Sequence, residues 1–264
     1  MGYFVKFVDE NGEPYGVKHI NNKPRVSTMP YLYDIAEGNI PDHYPLHKYG
    51  INTTVGTAYE TVYRGSNNYT YITTATKLYF AGTAGVDRSN GTGARTVYIE
   101  GLDAAYNIAT EMVTMNGATA VPTSKTYLRI QDVNVDTAGA TGGNVGIITI
   151  KNFAGTTTYD SMVASTGKLQ SAVWTVPNNH TAYITSFYGS EESNKGVEFD
   201  FSYRPYGKAW QRIRPTRVNS GFVSLKYDMP IPLEEKTDME IEVKGTTVDA
   251  IVGAGFEGWY EEND

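Results

Sequence analysis

Three consecutive segments rich in β-branched and aromatic residues constrain the fold more than any other part of the chain. They cover Ala94–Glu100, Ile108–Met115 and Lys125–Val135. Gly, Asn and Asp stand at the breaks between them, where turns need a positive φ or hydrogen bonds from side chain to backbone. No helix of ordinary length tolerates turn-forming residues at such short intervals. The stretch predicts three successive antiparallel strands, and none of its residues is typical of a catalytic centre.

Strict alternation of apolar and polar residues marks the C-terminal half of the chain. It appears in residues 197–204, 223–228 and 238–244, and a period of two places one strand face on a core and the other in solvent. Strands at such short spacing, with no long helix, predict an all-β chain. We expect an antiparallel β-sandwich of jelly-roll type with at most one short helix, and Trp174 in its core.

Residues 1–50 differ in composition from the rest and predict an N-terminal arm, whereas residues 51–264 predict the sandwich domain. The arm is expected to contain a hairpin over residues 3–20, a short helix at Pro30–Gly38 and a loop at Ile40–Gly50. We assign it a role in attachment or oligomerisation. Its aromatic side chains are the candidate contacts: Tyr3, Phe4, Phe7, Tyr15, Tyr31 and Tyr33.

Two further local predictions concern the sandwich itself. Ala58–Arg64 and Tyr69–Thr74 flank a Gly-Ser-Asn-Asn turn and predict a hairpin, whereas Asn152–Leu169 lacks a pattern and predicts a long surface loop.

Charge and composition exclude several kinds of partner. The 264 residues include 22 Lys and Arg against 29 Asp and Glu, a net charge of −7. An acidic chain has no general attraction for phosphate backbones, so nucleic acid is not an expected partner. Cys is absent, which excludes disulfides and thiolate metal sites. The sequence shows neither a secretory signal nor an apolar run of roughly 18 residues, so we expect no membrane partner and a product released in the cytoplasm.

Candidate metal and catalytic residues are weak. His43 and His47 have the spacing of zinc ligands on one helix face, but Pro45 between them removes an amide that such a helix needs. Asp87–Gly91 lacks the further acids of a calcium loop and predicts a plain surface loop. No Gly-x-Ser-x-Gly elbow, nucleophilic Cys or distinctive pair of carboxylates is present. We therefore predict neither an enzyme, nor a cofactor, nor a bound metal.

A basic patch is predicted near residue 210. Arg212, Arg214 and Arg217 cluster, and alternation places Arg212 and Arg214 on the same strand face. Guanidinium groups bind carboxylates in a bidentate manner, so the patch suits the carboxylate of a partner subunit or of an acidic glycan. A solvated face paired with nearby acids explains it equally well. With Trp210 as a stacking platform, the patch is the candidate glycan contact.

Four blocks of the sequence together resemble one family. They are residues 34–65, 91–117, 174–195 and 230–245. In combination they resemble virion structural proteins of tailed bacteriophages from aquatic settings. The resemblance implies a virion component without catalysis: a head decoration or fibre protein, or a tail-associated protein. Among these we predict a capsid decoration or head-fibre component held by its N-terminal arm. Its partners would be itself and the major capsid or tail proteins. A tail-associated module that binds a host glycan is the alternative.

Overall fold

The computed structural model describes residues 17–20, 23–26, 31–65 and 68–263. Within these residues it contains eighteen strands and one short helix, and the strand pairs with a defined register are antiparallel. The predicted all-β, antiparallel class is therefore confirmed. The elements in chain order are β1 (Val17–Ile20), β2 (Lys23–Val26), α1 (Tyr31–Ala36), β3 (His43–Val55), β4 (Glu60–Thr61), β5 (Tyr79–Gly82), β6 (Ala94–Leu102), β7 (Ile108–Thr114), β8 (Val121–Pro122), β9 (Arg129–Ala138), β10 (Ile148–Lys151), β11 (Thr158–Met162), β12 (Val173–Thr175), β13 (His180–Glu191), β14 (Val197–Arg204), β15 (Gln211–Val218), β16 (Gly221–Leu233), β17 (Asp238–Gly245) and β18 (Ala250–Glu262).

The chain divides into two compact units, Met1–Tyr44 and Pro45–Asp264. In the first, β1 pairs with β2, and α1 confirms the predicted short helix. Gly38 ends that helix with a φ of 69°, a conformation that costs glycine little. The predicted partner strand near the N-terminus lies outside the described residues, as do Tyr3, Phe4, Phe7 and Tyr15. The predicted boundary after residue 50 falls inside β3.

Two sheets of the second unit enclose a first hydrophobic core. One has the order β16-β13-β18-β3, and the other has the order β12-β17-β14-β15, with β4 also paired to β17. The core takes side chains from both sheets, among them Trp174, Phe187, Phe201, Ile241 and Phe256. Trp174 is buried there as predicted. We call this body the first sandwich.

Two smaller sheets enclose a separate core, and we call this body the second sandwich. Their orders are β11-β10-β5-β8 and β7-β6-β9. The β7-β6-β9 sheet is the predicted three-strand unit, and its third strand begins at Arg129 rather than at Lys125. Phe80, Ile99, Val133 and Ile150 are fully buried between the two sheets. The predicted single sandwich domain therefore holds two hydrophobic cores.

The sequence of the second sandwich interrupts an edge strand of the first sandwich. β4 and β12 run along β17 one after the other, in the same direction. At the break, Val62 N donates to Ile241 O (2.8 Å) and Ile241 N donates to Ala172 O (3.1 Å). Ala172 N also donates to Val62 O (2.9 Å). Residues 63–171 are therefore an insertion whose two ends meet in one strand position.

Three local predictions were wrong. The expected loop at Ile40–Gly50 is largely β3, which tolerates Pro45 because it lies at the edge of its sheet. Ala58–Arg64 and Tyr69–Thr74 form no hairpin, since β4 pairs with β17 across a long sequence separation. The expected loop at Asn152–Leu169 contains β11.

The alternation in the late strands predicted the core face correctly and the solvent face incorrectly. Phe199, Phe201 and Ile241 are fully buried on the predicted core face. Asp200 and Glu240, predicted in solvent, are also buried. Tyr71 and residues of the second sandwich cover this outer face, so its polar side chains lie inside the molecule.

The predicted surface loop at Asp87–Gly91 is confirmed for the exposed Arg88, Ser89 and Asn90. The prediction was wrong for Asp87, which is fully buried. Its carboxylate accepts backbone hydrogen bonds from Ala94 N (2.8 Å), Val145 N (2.9 Å) and Gly146 N (2.8 Å). Ala94 begins β6, whereas Val145 and Gly146 belong to the glycine-rich connection before β10. Asp87 therefore holds that connection against the start of β6, because a buried N–H without an acceptor is costly.

We expect Asp87→Asn to lower the free energy of unfolding by about 2–4 kcal/mol. The amide nitrogen of Asn cannot accept, so at least one of the three N–H groups loses a charge-assisted bond. Urea denaturation measures the change, and Asp228→Asn, at an exposed position, is the control, with a change within about 0.5 kcal/mol. Equal effects of the two substitutions would contradict the structural role of Asp87.

Candidate functional site

The carboxylate of Asp238 joins the two sandwiches. Asp238 begins β17 in the first sandwich and is buried. Arg129, on β9 of the second sandwich, donates from Nε to Oδ1 (2.7 Å) and from Nη2 to Oδ2 (3.1 Å). Arg204 Nη2 donates to Oδ2 (2.6 Å), and Thr175 Oγ1 donates to Oδ1 (2.7 Å). One carboxylate therefore holds two guanidinium groups, one from each sandwich.

Aromatic rings alternate with these cations. The Arg129 guanidinium carbon lies 5.1 Å from the ring centroid of Tyr71 and 5.4 Å from that of Tyr106. The Arg204 carbon lies 4.9 Å from the centroid of Tyr71 and 4.8 Å from that of Trp210. Such distances give favourable cation–π contacts. The two arginines thus share the ring of Tyr71, which lies in the inserted segment.

The same series of contacts continues to the surface. Tyr106 packs edge-on against Tyr206 (5.7 Å between centroids), and Lys236 Nζ lies 5.8 Å from the Tyr206 centroid. We call this series the arginine–aromatic ladder; it consists of Trp210, Arg204, Tyr71, Arg129, Tyr106, Tyr206 and Lys236. The Trp210 end is 36% exposed, and Tyr206, near the other end, is 64% exposed. Both belong to the connection between β14 and β15.

A second set of polar contacts lies beside the ladder. The Gln131 side chain accepts from Thr175 N (3.1 Å) and donates to Thr175 O. It thus pairs with the backbone groups of β12 that a neighbouring strand would otherwise satisfy. Lys48 Nζ, on β3, donates to Gln131 O (2.5 Å). Burial lowers the pKa of Lys48, while Asp132 and other nearby acids oppose that shift. The two sandwiches are therefore connected through buried polar side chains.

Two buried carboxyl groups near this junction hold protons close to neutral pH. Burial raises the pKa of Glu240 to about 7, and the neighbouring Glu242 adds to the rise. Tyr71 Oη donates to Glu240 Oε2 (3.1 Å). Burial likewise raises the pKa of Asp160 to about 7. A cavity of about 500 Å³ adjoins Asp160, and hydroxyl side chains supply much of its lining.

The predicted basic patch is divided between two faces. A β-bulge interrupts the pairing between β14 and β15, so that Arg212 lies opposite Ser202 but Arg214 lies opposite Phe201. Residues opposite each other in an antiparallel ladder share a face, so the predicted common face for Arg212 and Arg214 was wrong. A bulge residue shifts the alternation by one position, and sequence periodicity does not reveal it.

The patch residues have partners within the chain. Arg212 Nε lies 3.2 Å from Asp200 Oδ2, and its guanidinium carbon lies 4.0 Å from the ring centroid of Tyr59. Arg217 Nε donates to Glu198 Oε2 (2.6 Å). Hydrogen bonds from Tyr59, Arg217 and Lys244 lower the pKa of Glu198 to about 2. Trp210 contacts Arg204 rather than this group, and the predicted glycan contact at these residues stays a prediction.

The predicted arm and histidine positions were also located. Tyr31 and Tyr33 are exposed on α1, in keeping with a contact role that stays a prediction. His43 Nδ1 lies 2.7 Å from Pro41 O, and His47 is largely exposed. Among the described residues, no group of three or more His, Cys, Asp and Glu side chains could hold a metal ion. Across the same residues, no helix is long and apolar enough to cross a membrane.

Sequence reasoning missed Arg129, Asp238 and Tyr71. All three stand in ordinary strand or loop patterns, and only the insertion brings them together from sequence separations of 58 to 167 positions. The one available signal was the density of acids at Asp238, Glu240 and Glu242 on a single strand face. Such a row invites counter-charges, but it does not say which arginines supply them.

Comparisons with known proteins give little. No protein-family model matches the chain, and no curated protein matches it. Among solved structures, one of the infectious bursal disease virus Gt strain contains a chain that is 9% identical to this one. The TM-score is 0.20, and the match covers 88% of this chain and 77% of that chain. A mutant VP2 protein of the same virus, in derived T=1 particles, is 11% identical with a TM-score of 0.21, over 88% and 74%. Scores this low carry no argument about fold or function.

We expect Asp238→Asn to destabilise the protein by about 3–5 kcal/mol, because it leaves the buried Arg129 guanidinium without a counter-charge. Chemical denaturation measures the change. Arg217→Met, which breaks an ion pair at a largely exposed arginine, is the matched control with a much smaller loss. Similar losses in the two variants would show that Asp238 does not anchor the junction.

Stability should fall as pH rises from about 5 to about 7.5. The folded-state pKa of Asp160 and Glu240 is raised to about 7, so the stability that they contribute is complete below their unfolded pKa and is lost as pH rises through the folded value. Each group lowers the free energy of unfolding by at most about 1.4 kcal/mol per pH unit in this window.

Thermal unfolding scans across this pH range measure the trend. The double variant Asp160→Asn, Glu240→Gln should flatten it, since neither new side chain titrates. A slope that persists in this variant would assign the pH dependence to other groups.

Proposed function

We propose that this protein is a non-enzymatic structural component of a virus particle. The observation that carries the proposal is the strand order of the first sandwich. With β4 and β12 counted as one broken strand, its eight strands follow in the order 1-8-3-6 in one sheet and 2-7-4-5 in the other. Two sheets interleaved in this way support a jelly roll, an architecture that recurs in viral capsid proteins as well as in lectins and cupins. The step from fold to function here is an analogy.

An arrangement of propeller type is the competing interpretation of several small antiparallel sheets. Propeller blades are repeated four-stranded sheets around a channel, and a blade built as a meander uses consecutive strands. In the first sandwich each sheet instead takes strands from both ends of the chain segment, β3 beside β18 and β12 beside β17. This interleaving supports the jelly roll.

A structural role also fits the buried polar groups. Glu240 and Asp160, with pKa values near 7, are the natural acid–base candidates. Both side chains are almost wholly buried, and a general acid must come within hydrogen-bond reach of its substrate. Glu240 is hydrogen-bonded by Thr61 and Tyr71. We therefore assign Glu240 to the junction and not to catalysis.

Within this class we propose a capsid decoration or head-fibre protein of a tailed phage, held by its N-terminal arm. The sequence resemblance supports this choice, and so do the exposed Tyr31 and Tyr33 on α1. A tail-associated receptor-binding module is the second candidate. The exposure of Tyr206 and Trp210 on the β14–β15 connection favours it, because amphipathic rings supply contact area at low entropic cost.

Gold-labelled antibodies against the protein, applied to intact phage particles from an infected culture that expresses it, test the proposal. We expect label over the whole head. Label confined to the tail would replace the decoration role by the receptor-binding alternative. Particles without any label, from a lysate in which the same antibody detects the protein, would overturn the virion assignment.

A further inference from the structure

The outer face of the β16-β13-β18-β3 sheet carries a row of three aromatic rings. Tyr49 on β3, Tyr188 on β13 and Phe222 on β16 follow one another across the strands. Their centroids are 6.4 Å and 6.2 Å apart, and adjacent ring planes differ by 18° and 31°. Tyr49 is 42% exposed and Phe222 66% exposed, with Tyr188 half-buried between them. We call these three rings the aromatic platform.

Glycines on β18 allow the two tyrosines to lie across that strand. A Cβ at Gly253 would come within 2.5 Å of Tyr49 Oη, and a Cβ at Gly255 within 2.6 Å of Tyr188 Oη. Their neighbours Val252, Ala254 and Phe256 point into the core, so both glycines belong to the outer face. The missing side chains leave a shallow trough, and the phenol ends of both tyrosines lie over it.

Carboxylates flank the platform. Burial raises the pKa of Tyr49, and the charge of Glu192 adds to the rise while that of Arg64 opposes it. Burial and the charge of Glu257 raise the pKa of Tyr188. The chain as a whole carries a net charge of −7. This acidic balance disfavours a polyanion, although Arg64 is also near Tyr49, whereas a neutral or amino-substituted ligand finds hydrogen-bond acceptors beside the rings.

We propose that the aromatic platform binds a polysaccharide of neutral or amino sugars, with the sugar rings stacked on Tyr49, Tyr188 and Phe222. The apolar C–H face of a sugar matches a flat ring, and its hydroxyl groups donate to Glu192 and Glu257. The proposal does not depend on a place in the virion. It also moves the expected glycan contact away from Trp210, Arg212 and Arg214.

Two other occupants fit less well. An extended peptide draws affinity from main-chain hydrogen bonds at a sheet edge and from side-chain pockets, but the centre of the platform lies over β13 and β18, inside the sheet, whose backbone groups already pair. A second copy in a two-fold contact would set Glu192 and Glu257 against the same patch of its partner. Like charges at such a contact oppose association.

The test uses the full-length protein and pull-down on insoluble chitin and cellulose, with soluble alginate as the acidic competitor. We expect binding to chitin or cellulose that alginate does not displace. The Tyr49→Ala, Phe222→Ala double variant should lose about tenfold or more in affinity. Phe153→Ala, at an aromatic side chain that is 79% exposed in the second sandwich, is the matched control and should bind as the parent does.

A second variant tests the geometry without removing a ring. Gly253→Ala places a methyl group against the far end of the Tyr49 side chain, which is able to move aside, so the chain should fold while the ring leaves the platform. We expect weaker binding at an unchanged melting temperature. Absence of binding to both polysaccharides, or full binding by the double variant, would overturn the proposal. So would a concentration-dependent oligomer that only the double variant abolishes, because it would assign the platform to a second copy.

Discussion

The bond between Asp238 and Arg129 is the interaction on which the relation of the two sandwiches depends. A buried guanidinium group is tolerable only beside a counter-charge and with its donors satisfied. Here the counter-charge comes from one sandwich and the guanidinium from the other. Arg129 also donates from Nη1 to Ile72 O (2.9 Å) and Leu128 O (2.8 Å), so its remaining donors are used locally. Separation of the two sandwiches would leave Arg129 and Asp238 without each other at the same time. We therefore expect their hydrogen bonds to form and break together.

The insertion explains why the polar outer face of β14 and β17 is buried. Outer residues of an antiparallel sheet ordinarily meet water, and the alternating acids of β14 and β17 suit that setting. Because residues 63–171 leave and re-enter at one point beside Ile241, the inserted body and its connecting segment lie against this face. The acids then need partners on this face: Arg129 and Arg204 for Asp238, Arg212 for Asp200, and Tyr71 and Thr61 for Glu240.

Aromatic residues serve two different purposes in this chain. In the arginine–aromatic ladder, rings are enclosed between cations and join the sandwiches. In the aromatic platform, rings lie over a glycine trough and face outwards. The 21 tyrosines suit both settings, because the ring buries area while the hydroxyl keeps a polar partner. The open sheet face agrees with the role that we propose on a particle surface, where many copies would add weak contacts into durable attachment.

The sequence by itself determined the all-β class, the β7-β6-β9 unit, the short helix α1 and the core face of the late strands, because these follow from local propensity and from a period of two. It did not determine the pairing of β4 with β17 or the insertion at Val62 and Ala172, since both depend on contacts between residues far apart in the chain. Only the tertiary structure decided that Asp238 and Glu240 are buried, and that a bulge places Arg212 and Arg214 on different faces. Periodicity shows which residues share a face, but what covers that face is a property of the whole fold.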